Sequence, residues 1–99
     1  MEPTLLFGAY SLDRADARLT RDGVHVALTP RAFAVLLYLA ERAGRLVTKQ
    51  ALADAIWTDV FVGDAALKVC ISEIRRALHD DAKQPSYIET VHRRGYRQN

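Results

Sequence analysis

Short alternations of apolar and polar residues open the chain. The runs Leu5 to Phe7, Ala9 to Leu12, Ala17 to Thr20 and Val24 to Leu28 are separated by Gly8, by Asp13 to Asp16 and by Asp22-Gly23. This pattern predicts a small antiparallel sheet over residues 5–28. Asp-Gly is a hairpin signal, because a two-residue reversal needs positive φ values that these residues tolerate. Nothing in the segment carries catalytic chemistry, so it reads as a structural platform. From Thr29 the period becomes helical. The Thr29 hydroxyl is suited to accept an orphan amide, and Pro30 has no amide to leave unsatisfied at the first helical position. The helix is expected to run to about Ala43 and to stop at Gly44. Phe33, Leu36, Leu37 and Ala40 form its stripe, while Val35, Tyr38 and Leu39 make it apolar nearly all round. Such a helix must be covered on more than one side, by the sheet on one flank and later helices on the other.

Thr48 is placed to cap a second, short helix through KQALADAIW, with Leu52, Ala55 and Ile56 turned inward. The following TDVFVGD is broken by Gly63, and Asp64 is suited to cap a third helix over residues 64–79. Residues 86–98 read as two strands, SYIETV and GYRQ, around His92-Arg93-Arg94-Gly95, a hairpin with a charged tip. Repeats and low-complexity stretches are absent.

Wound at about 100° per residue, the third helix separates into two faces. Leu67, Ile71, Ile74 and Leu78 make the core stripe. Ala65, Val69, Ser72 and Arg76 look outward, with Glu73 to one side and Lys68 and Arg75 at the margins. Long charged residues usually dominate a solvated face. Here small residues flank an exposed valine, which permits the close approach needed in a DNA major groove. There an apolar group meets a thymine methyl, and Ser, Arg or Glu meet base edges. Two short helices joined by a turn, the second with such a face, have the helix-turn-helix order. A basic hairpin follows, suited to a narrow minor groove or to phosphates.

Composition supports one compact module. The chain has 99 residues, 49% hydrophobic and 26% charged, the balance of a folded domain. Residues 1–63 carry equal numbers of basic and acidic groups, so the whole net charge of +2 lies in the last third. There His92, Arg93, Arg94 and Arg97 crowd together. A lone Cys70, with no Cys/His spacing suited to zinc, points to a reducing, cytoplasmic setting. The amino terminus meets an acid at once and its apolar stretch is too short for a signal or a membrane span. His25, His79 and His92 are scattered, and no catalytic triad, carboxylate pair or glycine-rich phosphate loop is present. The reading is therefore not an enzyme, with no cofactor and no metal. Cys70 reads as a semi-buried packing residue, and Asp80-Asp81 as a solvated loop start.

The run VGDAALKVCISEIRRAL, with YIETVHRRGYR after a short loop, resembles the recognition helix and wing of the OmpR/PhoB-type winged-helix domains. LTPRAFAVLLYLAERAGRLVTKQALADAIW resembles their first two helices and turn. The resemblance implies an α+β winged helix-turn-helix fold over residues 1–99: a four-stranded amino-terminal antiparallel sheet, three helices over 30–79 and a carboxy-terminal β-hairpin wing. It implies sequence-specific binding of double-stranded DNA by a transcriptional regulator. The residues it places at or near DNA are Ala66, Lys68, Val69, Ser72, Glu73, Arg75 and Arg76 on the recognition helix and Thr90, His92, Arg93 and Arg94 on the wing. Trp57 matches a phosphate-contacting position, and Thr48 and Lys49 begin the second helix where its positive dipole end faces the backbone.

Two positions depart from the pattern. Many response-regulator members carry arginine where this chain has Glu73, which would instead accept from a cytosine amino group or hold Arg76 or Lys68 in place. Ser72 replaces a residue that is often basic, which shifts phosphate contact toward the wing. The resemblance is nearer to regulators with an amino-terminal reading head, which implies a sensor or ATPase-type region beyond Asn99. Dimer formation or tandem half-sites are expected for a reader of this size. The alternative reading is a protein-interaction module whose exposed helix and hairpin dock a protein such as RNA polymerase or a sister domain.

Overall fold

The computed structural model describes residues 4–58, 63–81 and 83–99. Strands β1 (Thr4–Phe7), β2 (Tyr10–Asp13), β3 (Arg18–Arg21) and β4 (Val24–Val26) form an antiparallel sheet in chain order. Leu5, Leu12, Leu19 and Val26 stand in register across it, which places one apolar rung on its inner face. The expected reversal is present: Asp22 and Gly23, between the paired Arg21 and Val24, have φ of +50° and +83°.

Helix α1 (Pro30–Ala40) starts as its sequence dictates, with the Thr29 hydroxyl accepting from the Ala32 amide at 3.3 Å. It ends three residues earlier than expected. Arg42 and Ala43 donate to Leu39 and Ala40, so the helix tightens before the chain reverses at Gly44. Helix α2 (Lys49–Ile56) is capped by Thr48, whose hydroxyl accepts from Ala51 at 3.0 Å. Leu52 is buried and Ile56 half-buried, but Ala55, expected inside, is exposed. The inward stripe is Ala51, Leu52 and Ile56, which leaves Ala55, one step of about 100° before Ile56, on the open side. Helix α3 (Asp64–Leu78) is entered through Gly63, not Asp64, which occupies the first turn and meets Lys49 at 3.3 Å. The part of the expected helix break at Asp59 to Val62 lies outside the described residues.

An element without a sequence signal completes the fold. Strand β5 (Val47–Thr48) pairs with β7 (Gly95–Gln98), which pairs with β6 (Ile88–Val91), giving a second antiparallel sheet in the order β5-β7-β6. The hairpin is therefore a sheet tied to the start of α2. Gly95 makes this possible: a Cβ there would run into the Val47 carbonyl oxygen. Leu12 and Leu19 from the first sheet, Val35, Leu36 and Leu39 from α1, Leu52, the α3 stripe and Ile88 and Tyr96 share one buried cluster. Phe7, Tyr10 and Tyr87 join the first sheet to the start of β6 with ring centroids 5.4–5.7 Å apart.

Asp80 is not a solvated loop start. After the α3 terminus closes with Asp80 donating to the Arg75 carbonyl at 2.8 Å, the Asp80 carboxylate accepts from the amides of Ser86 at 2.6 Å and Ile88 at 2.9 Å, with Tyr87 between them. This clasp ties the end of α3 to the start of β6. Asp80→Ala strands those amides and is expected to cost about 2–3 kcal/mol in urea unfolding, with Asp80→Asn recovering part of it.

Candidate nucleic-acid interface

Helix α3 has the two faces that its sequence prescribes. Leu67, Ile71, Ile74 and Leu78 are 0–3% exposed, whereas Val69 is 66% exposed. Ala65, Lys68, Ser72 and Arg76 are exposed beside it. Lys68, Val69, Ser72, Glu73 and Arg76 line one shallow depression along the helix. A second open groove, about 250 Å³, runs between α3 and the wing, lined by Lys68, Ile71, Ser72 and Arg75 from the helix and Thr90 and Tyr96 from the strands. The helix surface and the wing thus meet along one side of the molecule. Ala66, expected at the DNA, packs against the core, and its neighbour Ala65 looks outward. Each α-helical step of about 100° carries the side chain off the exposed face.

Arginine 75 and threonine 90, each expected at the DNA, are joined to one another. The Arg75 guanidinium donates to Thr90 Oγ1 at 2.7 Å and to the Ile88 carbonyl at 3.1 Å, which fixes β6 against α3. Glu73 does not hold Arg76 or Lys68 as expected. Its carboxylate accepts instead from the Thr29 amide at 2.6 Å and from Thr29 Oγ1 at 3.0 Å. An anionic group at the start of α1 is stabilised by the unsatisfied amides and dipole there, and this contact outcompetes an exposed cation.

The α2 terminus is also partly engaged. Thr48 Oγ1 caps the helix, the Lys49 amide donates to the Arg94 carbonyl at 3.2 Å, and the Lys49 ammonium pairs with Asp64. That ion pair is exposed, so a phosphate can displace it at small cost. Trp57 is buried in the core cluster with the Arg31 guanidinium 5.1 Å from its ring centroid. Arg31, exposed at the start of α1, had no signal in the sequence beyond its charge. Tyr96 was likewise missed: its ring is buried, yet it lines the groove beside α3. Burial pushes its phenol up, against the opposing pull of Lys49 and Arg75.

The wing tip is a tight turn closed by the Arg94 amide donating to the Val91 carbonyl at 2.9 Å. His92, Arg93 and Arg94 are exposed. Arg93 has φ of +62° at the third position of this turn, where glycine or asparagine is favoured. Its guanidinium has no partner among the described residues. Cys70 is buried, and burial pushes its thiol up, reinforced by Glu73 and opposed by Arg31, the environment of a packing residue. No group of metal-ligating side chains and no helix long and apolar enough to cross a membrane occurs among the described residues.

Comparison with known proteins agrees with this geometry. The family model for the transcriptional regulatory protein, C-terminal, matches residues 23–98. The transcriptional regulator HilA of Salmonella typhi is 42% identical over 84 residues, covering 85% of this chain and 15% of HilA, so the chain spans under a sixth of that relative. The crystal structure of the Klebsiella pneumoniae RstA DNA-binding domain in complex with the RstA box superposes with a TM-score of 0.88 at 31% identity, over 98% of this chain and 97% of that one. The Thermotoga maritima response regulator DrrB, an OmpR/PhoB homolog, gives 0.90 at 31% identity, over 99% of this chain and 45% of DrrB. A four-stranded sheet, three helices and a strand hairpin, arranged as in these structures, and a family match across most of the length lead to one assignment: the chain belongs to the OmpR/PhoB-type winged-helix DNA-binding domains of transcriptional regulators.

Proposed function

We propose that the chain is a single reading module for duplex DNA, with the first sheet as platform, α3 in the major groove and the wing on the adjacent minor groove and phosphates. The observation that carries this reading is the outer face of α3: Val69, Ser72, Lys68 and Arg76 are exposed side by side without an internal side-chain partner among the described residues. In this arrangement Val69 meets a thymine methyl, Arg76 takes guanine acceptors and Ser72 serves either base edge. Lys68, Lys49, Thr48, Arg31 and the wing cations set register on phosphates. Such a module works in the cytoplasm, where the chromosome is. Dimers or tandem half-sites, with a sensor or ATPase-type region beyond Asn99, supply the remaining affinity and the signal.

A docking module for a protein such as RNA polymerase is less well supported. Among the described residues, the exposed large apolar side chains Leu6, Val24 and Val69 lie on three separate elements.

Three outcomes test the proposal. Replacing Arg93 and Arg94 together by alanine is expected to lessen the slope of log affinity against log salt by roughly 2, weakening all duplexes alike in anisotropy titrations. An unchanged slope removes the wing from the interface. Arg93→Gly relieves the left-handed backbone, so it should raise the melting temperature by about 4 °C while weakening duplex binding; a variant both more stable and equally tight refutes the role given to Arg93. In random-duplex selection, Val69→Ala should relax one position from thymine and Arg76→Ala one from guanine, each by roughly 1–3 kcal/mol, and uniform weakening at every position counts against α3 as the reader.

A further inference from the structure

The reading surface of α3 contains one anion, and its placement needs an explanation. Glu73 lines the same depression as Val69, Ser72 and Arg76. A carboxylate facing DNA meets phosphates of its own sign, and repulsion there is not screened as it is in open solvent. Yet both Glu73 oxygens are used within the protein. One accepts from the Thr29 amide and the other from the Thr29 hydroxyl, which itself caps α1 through Ala32. The contact spans 44 residues of chain and joins the middle of α3 to the first turn of an 11-residue helix. Short charge-assisted bonds of this kind have defined directions, so they restrain the rotation of α3 about its own axis. The apolar stripe decides which face is buried, and the polar contact sharpens the angle within that setting.

Resting on the proposed DNA-reading role, we infer that Glu73 is a positioning residue: through the Thr29 cap it fixes the rotational setting of α3, and base selection is left to Val69, Ser72 and Arg76. It reads no base. Its charge is answered by the α1 amides, so the acid adds little repulsion toward the duplex while it holds the helix. The inference differs from a purely structural role because rotating α3 misplaces three readers together while leaving phosphate contacts from the wing and α2 in place. Loss of Glu73 therefore acts on the specific site and spares non-specific binding.

The test compares wild type, Glu73→Ala, Glu73→Gln and Thr29→Ala by random-duplex selection, then by titration of the selected site and of an unrelated duplex, well below each melting temperature. Glu73→Ala is expected to select the same bases with weaker discrimination, to bind the selected site roughly tenfold more weakly and to bind the unrelated duplex no more weakly. Glu73→Gln keeps one acceptor for the Thr29 amide and should restore most of the affinity. Thr29→Ala, which removes the hydroxyl contact outside the interface, should weaken the selected site in the same sense. A new base at one position in Glu73→Gln, where glutamine would favour adenine, shows that residue 73 reads and overturns the inference. A lower melting temperature with unchanged affinity for the selected site also overturns it, leaving Glu73 as a stabilising contact only. If wild type binds no duplex in a salt-sensitive way, the reading role itself fails and the inference falls with it.

Discussion

Helix α3 must be held firmly enough to present an edge and yet leave that edge unfilled. The hold comes from Leu67, Ile71, Ile74 and Leu78, all but removed from water, each contributing about 2 kcal/mol of burial against the ordering cost of the chain. Polar contacts then restrain what this burial leaves loose. Glu73 reaches from one margin to the start of α1, Arg75 from the other to β6, and Asp80 at the end to the amides that begin β6. The helix is thereby tied on its buried face, on both margins and at its terminus. Its outward side chains have no side-chain partner among the described residues, which is the condition for a surface that exchanges water for DNA.

The wing depends on the same economy of contacts. Strand β7 lies between β5 and β6, so the hairpin shares its central strand with the entrance to α2. That pairing needs the close passage of Gly95 over Val47, and it brings the Lys49 amide to the Arg94 carbonyl. The second helix, α3 and the wing are therefore connected by backbone pairing and by Arg75. At the tip the balance reverses. Arg93 occupies a backbone conformation that favours glycine, and its side chain finds no compensating contact among the described residues. A conformational cost with no internal return is reasonable where the return is external.

These contacts also redistribute the roles suggested by residue type. Lys68, Val69, Ser72 and Arg76 remain together on the open face, while Ala66 and Trp57 go to the core, and Glu73, Arg75 and Thr90 are engaged inside the molecule. Tyr96, from the wing strand, lines the groove beside α3, and Arg31 stacks on Trp57 at the start of α1.

What the amino-acid order determined by itself rests on residues within a turn or two of one another. The Asp22-Gly23 reversal, the Thr29 and Thr48 caps and the two faces of α3 follow from backbone preferences and from a 3.6-residue period that needs no distant partner. The tertiary structure alone decided the two-residue strand β5, the clasp of Asp80 and the attachment of Glu73 to Thr29. A side chain's helical face is written in its spacing. Which donor an acid finds depends on what chain folding brings within about 3 Å of it, and local sequence carries no record of that distance.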